Sequence, residues 1–168
     1  QILLALFAHP DDEAFGTGGT LARYAMAGAD VTLVCATRGE VGEIAEGVDA
    51  TPETLGQVRE AELRCAADTV GVRQLIFLGY RDSGMAGTPE NADQRAYVNA
   101  PADEVVPRLV GIIRRVRPQV VVTFEPNGGY GHPDHIAIHR HTVAAFAAAA
   151  DGTRYPDQGP AWQPARLF

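Results

Sequence analysis

Ile2-Leu3-Leu4-Ala5-Leu6-Phe7 runs directly into Ala8-His9-Pro10-Asp11-Asp12-Glu13, and this junction indicates how the chain folds. An apolar run of this length is typical of a strand that is covered on both faces. A second junction of the same kind lies far along the chain, where Val120-Val121-Val122-Thr123-Phe124 is followed by Gly131-His132-Pro133-Asp134-His135. Brought together, the two His-Pro-Asp loops would supply enough imidazoles and carboxylates for one metal site, with a base and an acid to spare.

Strand-like and helix-like segments alternate between these two junctions. The predicted strands span residues 2–8, 31–36, 74–78 and 120–124, and the predicted helices span residues 18–27, 51–70, 102–116 and 135–150. Thr51 is the expected N-cap of the second helix, with Pro52 at its first position. The tail from Asp151 has no clear period, although residues 165–168 resemble the start of another strand. This alternation predicts an α/β fold, a Rossmann-like open and mostly parallel sheet with helices on both faces.

The same topology suggests where a ligand would bind. If the first and fourth strands are neighbours, the strand order is 3-2-1-4 and the winding direction reverses between them. Ligands of open α/β sheets bind off the carboxyl ends of the strands at such a reversal. The long loops 37–51 and 79–101 would lie on the same rim as the two His-Pro-Asp loops, so we expect the metal site at the carboxyl ends of strands one and four.

Length and composition limit the number of domains, the class of partner and the cellular compartment that can be expected. The 168 residues, 46% of them hydrophobic, predict one domain with a sizeable core, and the formal charge of −7 argues against a nucleic-acid partner. Cys35 and Cys65 are expected to be buried free thiols of a reducing compartment. No apolar window is long enough for a membrane helix and no charged segment precedes Ile2, so a soluble cytoplasmic protein is expected. The chain begins and ends within strand-like segments, which suggests a single domain, residues 1–168, that lacks its C-terminal portion. Homo-oligomer formation is left open.

The paired motifs resemble those of the PIG-L/LmbE-like family of zinc-dependent N-deacetylases. The similarity covers most of the chain and includes Thr37-Arg38-Gly39-Glu40, Val58-Arg59-Glu60-Ala61-Glu62-Leu63, Arg81-Asp82-Ser83-Gly84-Met85 and Pro126-Asn127-Gly128-Gly129-Tyr130-Gly131. The last two segments are especially similar to the mycothiol-pathway members, a deacetylase and an S-conjugate amidase. One His-Pro-Asp motif would be a weak signal, whereas two in strand–loop–helix contexts are specific.

The resemblance implies that His9, Asp12 and His135 are the metal ligands. Two imidazoles and a carboxylate suit Zn²⁺, and three protein ligands leave a position open, as catalytic zinc requires. Fe²⁺ fits the same ligands. Asp12 alone could instead be a helix N-cap, and His135 alone a surface helix residue. The neighbouring His139 and His141 are expected at the surface, because position 136 is Ile rather than the Glu of a zinc-binding helix motif.

The resemblance also implies roles in catalysis and substrate binding. Asp11 would be the general base, and His132 would stabilise the oxyanion or protonate the leaving amine. Asp134 would orient His132 and favour its charged form, while Tyr130 would donate to the oxyanion. The positions expected to contact the sugar are Glu13, Arg59, Asp82 and Met85. Solvated charge pairs at Arg59 and Asp82, and simple packing of Tyr130, are the structural alternatives.

We therefore expect a metal-dependent hydrolase that removes the acetyl group from an N-acetylglucosamine-type amino sugar or its conjugate. One alternative is an amidase that cleaves a larger amide, such as a thiol S-conjugate. Another is a non-catalytic metal- or sugar-binding module, against which the intact Asp11 and His132 argue. Phe15 stands where some amidase relatives carry polar or basic residues, which favours the deacetylase.

Overall fold

The two apolar junction segments are neighbouring strands of one parallel sheet. The computed structural model describes residues 1–168. Its strands are β1 (Ile2–Phe7), β2 (Asp30–Cys35), β3 (Gln74–Phe77), β4 (Val120–Val122) and β5 (Arg166–Leu167). They are all parallel and lie in the order β3-β2-β1-β4-β5. The predicted order 3-2-1-4 is confirmed, and the strand-like end of the chain adds β5 beside β4.

Helices cover both faces of this sheet, as predicted. They are α1 (Asp12–Met26), α2 (Leu55–Val70), α3 (Ala102–Val116), the single turn α4 (Gly128–Gly131) and α5 (Pro133–Ala149). Successive side chains of β1 point to opposite faces. Leu4 and Leu6 pack in a core with α3 and α5, whereas Leu3 packs in a second core with Leu21 of α1 and Leu63 of α2. None of the helices combines the length and the apolar character needed to span a bilayer.

Three helices begin at positions different from those predicted. α1 begins at Asp12 rather than near Gly18, because the chain turns immediately after β1 and two carboxylates in the first turn complement the helix dipole. α2 begins at Leu55, since the Thr51 hydroxyl bonds to the side chains of Glu53 and Thr54 and does not cap the helix. α5 begins at Pro133, with a proline at its first position and His132 as its N-cap.

The cysteine prediction is half right, because burial depends on which side of a helix faces the sheet. Cys35 is buried in β2, whereas Cys65 is exposed on α2. Burial raises the pKa of the Cys35 thiol well above its usual value, so this residue is an inert part of the core.

Arg114 orders the tail that has no hydrophobic period. Its side chain is buried and donates hydrogen bonds to main-chain carbonyls at the end of α5 and in the segment that follows. These acceptors belong to Ala148, Ala149, Asp151, Arg154, Tyr155 and Gly159. Carbonyls at a helix C-terminus have no partner within the helix, so a buried guanidinium replaces the water they would otherwise need.

Replacing Arg114 with Ala should lower the free energy of unfolding by roughly 3 kcal/mol, because it leaves several buried carbonyls without donors. Urea denaturation measures this change. Arg115→Ala, which truncates the exposed arginine next to it on α3, is the matched control and should change stability by less than about 0.5 kcal/mol. Equal losses in the two variants would contradict the structural role of Arg114.

Candidate metal and catalytic site

The two His-Pro-Asp loops meet at the carboxyl ends of β1 and β4. His9 Nδ1 lies 3.1 Å from His135 Nε2. The Asp12 carboxylate contacts both rings, with Oδ1 3.2 Å from His135 Nε2 and Oδ2 3.6 Å from His9 Nδ1. In a tetrahedral zinc site the ligand atoms lie about 3.3 Å apart, as follows from metal–ligand distances of about 2.0–2.1 Å. The spacing of these three side chains therefore suits a single divalent ion.

His9, Asp12 and His135 are called the cluster below. In His9 and His135, the hydrogen bond on the far side of the ring defines which nitrogen faces the cluster. His135 Nδ1 lies 3.1 Å from the carbonyl oxygen of Gly128. His9 Nε2 lies 3.2 Å from Asp134 Oδ2 and 3.4 Å from Asp82 Oδ1. Carbonyl and carboxylate oxygens only accept, so these two nitrogens carry the hydrogens. When both rings are neutral, their other nitrogens direct lone pairs at each other and at the Asp12 carboxylate, and this arrangement favours a cation between them.

Electrostatics point to the same conclusion. Burial opposes ionisation of Asp12, but hydrogen bonds from His135 and His9 outweigh it and hold the pKa of this carboxyl well below its usual range. Burial also opposes charge on His9, but its hydrogen bonds to Asp12, Asp134 and Asp82 raise the pKa of this imidazole well above its usual value. The surroundings of His9 thus stabilise a positive charge, whether a proton or a metal ion supplies it.

Asp12 is not the N-cap of α1. It lies inside the helix, and its Oδ2 accepts hydrogen bonds from the backbone N–H groups of Ala8 and His9 at 3.1 and 2.8 Å. The N-cap position belongs to Asp11, whose side chain makes no capping hydrogen bond. The two neighbouring aspartates therefore make different contacts: Asp12 lies against His9 and His135, whereas Oδ2 of Asp11 is 2.9 Å from Arg59 Nη2.

Asp11 combines an open carboxylate with an unusual backbone. Its φ of 106° lies in the left-handed region, which residues other than glycine seldom occupy and which is found often at functional sites. Its side chain is about half exposed. Partial burial raises the pKa of Asp11, although the Arg59 guanidinium opposes the shift. This carboxylate is thus accessible and more basic than an ordinary surface aspartate.

His132 lies beside the cluster as a neutral hydrogen-bond donor. His9, His132 and His135 each offer one ring nitrogen, and these atoms lie within 4.8 Å of one another. His132 Nδ1 accepts the backbone N–H of Asp134 at 3.2 Å, so the neutral ring carries its hydrogen on Nε2. Burial, reinforced by the positive charge on His9, lowers the pKa of His132 to about 4.

The Asp134 carboxylate faces His9 rather than His132, which differs from the orientation expected from the sequence. Asp134 is fully buried in the first turn of α5, and its Oδ2 lies 3.2 Å from His9 Nε2. Its charge does favour the protonated form of His132, but burial and His9 have the larger combined effect. Asp134 thus acts on the charge of His132 in the expected direction, but it does not offset the lowering of the pKa by burial and by His9.

Ser83 supports this carboxylate, and the sequence analysis assigned it no role. Its backbone N–H donates to Asp134 Oδ2 at 2.9 Å, and its hydroxyl donates to Asp134 Oδ1. The same hydroxyl accepts the N–H of Val98 at 2.9 Å. Ser83 and Asp134 are both fully buried. The only available signal was its place in the Arg81-Asp82-Ser83-Gly84-Met85 segment of a long rim loop.

Of the four positions expected to contact a sugar, one is open to solvent. Met85 is 47% exposed, whereas Asp82 is 4% and Glu13 is 3% exposed. The Asp82 carboxylate accepts from the N–H groups of Gly84 and Val41, at 2.9 and 3.3 Å, besides facing His9. The Arg59 guanidinium donates to protein oxygens. Asp82 and Arg59 therefore already make hydrogen bonds to protein groups in the loops around His9.

A cavity of about 560 Å³ opens beside the cluster. Its lining includes Asp11, Asp12, Phe15, Phe124, Glu125 and Tyr130. Phe15 and Tyr130 are 89% and 68% exposed, so two aromatic side chains stand at its mouth. The Tyr130 ring is 5.2 Å from the ring of His135, edge to face. The lining of this cavity thus combines carboxylates with aromatic side chains.

His139 and His141 lie outside the cluster of His9, Asp12 and His135. Both are partly buried and hydrogen-bonded within the protein rather than fully exposed at the surface as expected. The Nδ1 of His139 is 2.7 Å from the carbonyl oxygen of Phe124, and the Nδ1 of His141 is 3.0 Å from the hydroxyl of Tyr97. Each ring therefore ties α5 to a neighbouring segment.

Replacing Ser83 with Ala should weaken binding of Zn²⁺ by roughly 10- to 100-fold, because Ser83 holds Asp134, the hydrogen-bond partner of the proposed ligand His9, and such outer contacts set the orientation and basicity of a ligand histidine. Competition with a chromogenic chelator measures the affinity. Thr142→Val is the matched control, since Thr142 is equally buried and its hydroxyl has no hydrogen-bond partner. Unchanged zinc affinity in Ser83→Ala would contradict the contact sequence from Ser83 through Asp134 to His9.

Comparison with known proteins gives the family. Residues 4–146 match the model of the PIG-L family, described as GlcNAc-PI de-N-acetylase. Two curated relatives, from Geodermatophilus obscurus and Rhodococcus erythropolis, carry the name 1D-myo-inositol 2-acetamido-2-deoxy-alpha-D-glucopyranoside deacetylase. They are 49% and 50% identical, over 99% of this chain and 60% and 59% of their own lengths. The chain therefore spans about 60% of the length of the curated relatives it matches.

A solved structure supports the same placement. N,N'-diacetylchitobiose deacetylase from Pyrococcus horikoshii superposes with a TM-score of 0.80 at 25% sequence identity. The match covers 99% of this chain and 58% of that one. The family match extends from β1 to near the end of α5 and so includes both His-Pro-Asp loops. On this evidence, the chain belongs to the PIG-L family.

Proposed function

We propose that this chain carries the active site of a metal-dependent N-deacetylase, which hydrolyses the acetamido group of an N-acetylglucosamine-type sugar or its conjugate. One observation carries the proposal. The side chains of His9, Asp12 and His135 lie close together. The accessible carboxylate of Asp11, the neutral imidazole of His132 and an open cavity lie next to them. Hydrolysis of an amide needs these elements, which are an electrophilic centre, a base for water and a donor for the departing amine.

His9, Asp12 and His135 would hold the ion. Their lone pairs and negative charge fit Zn²⁺, and Fe²⁺ suits the same donor set. When bound, the ion supplies Lewis acidity, which polarises the amide carbonyl and makes water more acidic. Asp134 and Asp82 hold the His9 ring with a lone pair on Nδ1, and the Gly128 carbonyl does the same for Nε2 of His135.

Three further side chains would carry the proton transfers. Asp11 accepts a proton from the attacking water, a role suited to its accessible carboxylate and raised pKa. His132 donates from Nε2, either to the oxyanion of the tetrahedral intermediate or to the leaving nitrogen. The Tyr130 hydroxyl, at the mouth of the cavity, is a second donor for the oxyanion. The products are acetate and the free amino sugar.

The substrate class follows from what the similar proteins share. The two curated relatives are named for a glucopyranoside with a 2-acetamido group joined to inositol, and the Pyrococcus horikoshii enzyme for an acetylated disaccharide. An acetamido group on a glucose ring is common to both, so we assign it to this chain as the part that reacts. Phe15 and Tyr130 would lie against the sugar or the group attached to it.

An amidase that cleaves a larger amide is the alternative. The exposed Phe15 offers no charge to a polar conjugate, so it favours the smaller acetyl substrate. A binding module without catalysis would need neither an open Asp11 nor the unusual backbone on which it lies. The cytoplasmic location, the lack of a nucleic-acid partner and the extent of the domain beyond residue 168 stay predictions.

A panel assay tests the activity. The protein, loaded with Zn²⁺, should release acetate from an N-acetylglucosamine glycoside of inositol, and more slowly from N-acetylglucosamine itself. Treatment with a chelator should abolish the release, and added Zn²⁺ should restore it. Faster release of a larger acyl group from an S-conjugate would favour the amidase instead, and inactivity on every amide would reject an enzyme of this class.

Two substitutions should separate the neighbouring aspartates. Asp11→Asn keeps the size of the side chain but cannot accept a proton, so kcat should fall by on the order of 10²–10⁴ while the metal stays bound. Asp12→Ala removes one of the proposed ligands and should lower metal affinity, with partial recovery of activity at high Zn²⁺. Metal content and kcat are measured for each. A metal-free Asp11→Asn together with a loaded Asp12→Ala would reverse the two roles.

A further inference from the structure

We infer that Glu125 is a positioning residue, which shapes the glycine-rich turn after β4 so that the carbonyl group of Gly128 holds the ring of His135. The inference rests on the proposed function and deepens it, because His135 is one of the proposed metal ligands. Glu125 lines the open cavity, yet both of its carboxylate oxygens accept hydrogen bonds from the backbone of the turn.

The first support is the set of donors that Glu125 receives. The backbone N–H groups of Asn127 and Gly129 donate to its Oε2 and Oε1, each at 2.6 Å. The N–H of Gly128, between them, donates to the backbone carbonyl of Glu125 at 2.9 Å. The two bonds to the carboxylate lower the pKa of Glu125, so the charged form accepts them, and bonds to a charged acceptor are the stronger kind. One residue thus provides acceptors for the N–H groups at the start of the single turn α4.

The second support is the freedom of the backbone that these bonds restrict. Gly128 has φ 64°, and Gly129 has φ 72° and ψ −80°. Consecutive glycines lose more conformational freedom on folding than other residues, so contacts from outside must select one conformation of the turn. The selected conformation is a close approach, because a Cβ atom on Gly128 would lie 2.7 Å from the Cβ atom of His135.

The third support is what the turn does to His135. The carbonyl oxygen of Gly128 lies 3.1 Å from His135 Nδ1, so Nε2 faces the cluster. The ring of Phe124 stacks on the same imidazole, with the ring centres 3.9 Å apart and the planes 9° from parallel. Residues on both sides of Glu125 therefore hold this ring, one at its face and one at its edge. Outer contacts of this kind set the orientation and basicity of a ligand histidine.

A contact with the sugar is the alternative role for Glu125, because its side chain is exposed at the cavity. The two roles make different predictions. A positioning role predicts weaker binding of Zn²⁺ and a change in which nitrogen of His135 carries the hydrogen, both without any substrate. A sugar contact predicts a higher KM and leaves the metal affinity and the imidazole unchanged.

The test compares Glu125→Ala with the parent protein. Competition with a chromogenic chelator should show a loss of Zn²⁺ affinity of about 10-fold. Glu125→Asp keeps the charge and can accept the N–H of Asn127, two residues on, as in an Asx-turn, so it should restore the affinity to within about threefold of the parent. The matched control is Glu53→Ala, which removes an exposed carboxylate that accepts the Thr51 hydroxyl and should leave the affinity unchanged. A Zn²⁺ affinity in Glu125→Ala equal to that of the parent would overturn the inference, and a raised KM would then assign Glu125 to the ligand.

Nitrogen-15 NMR of the histidine rings in the metal-free protein provides a readout that needs neither metal nor activity. In the parent, the hydrogen of His135 should lie on Nδ1, facing Gly128, whereas in Glu125→Ala the ring should populate both neutral tautomers. Unchanged amide signals from β4 and α5 show that the variant is folded. A His135 ring that keeps its hydrogen on Nδ1 would contradict the positioning role. If the parent hydrolyses none of the substrates, the proposed function fails, and the NMR result still decides whether Glu125 acts on His135.

Discussion

The site depends on the parallel pairing of β1 with β4. The register places Leu3 beside Val120 and Ala5 beside Val122, so the carboxyl ends of the two strands lie at the same edge of the sheet, within two residues of each other. The loops that follow them therefore meet, although most of the chain separates them in sequence. Winding reverses at this pair of strands, which leaves no crossover helix above their carboxyl ends and makes a crevice for the histidine cluster.

The carboxylates around His9 favour a positive charge on its ring or beside it, which either a proton or a metal ion can supply. Asp12, Asp82 and Asp134 are largely buried and all lie within 3.6 Å of one of its ring nitrogens. Burying several carboxylates without compensation is unfavourable, and hydrogen bonds offset part of that cost. The rest is offset when positive charge occupies the cluster. Electrostatics and ligand geometry therefore favour the same occupant.

The two long rim loops, residues 37–51 and 79–101, support the site through hydrogen bonds and ion pairs. Gly39, in the loop at residues 37–51, accepts a hydrogen bond from Arg59, which also forms an ion pair with Asp11. The loop after β3 contributes Asp82, which contacts His9, and Ser83, which bonds to Asp134. The side chains that line the cavity include aromatic rings as well as the carboxylates of Asp11, Asp12 and Glu125. This division places the ionic contacts in partly shielded surroundings, where they orient the reacting groups, and leaves the open face for recognition of the ligand.

The sequence by itself determined the fold class, the strand order around β1 and the residues of the two His-Pro-Asp loops. Apolar runs of strand length, helical periodicity and paired motifs are local signals, so they can be recognised in the sequence without knowing how the elements pack. Helix starts were less predictable: α1 begins at Asp12 because the chain turns at Asp11, and the glycines that follow do not prevent a helix that packs Leu21 into the core. Only the tertiary structure decided that Asp134 faces His9, that Ser83 supports it, and that Arg59 and Asp82 turn inward. Side-chain direction depends on which loops become neighbours, and those contacts join residues far apart in sequence.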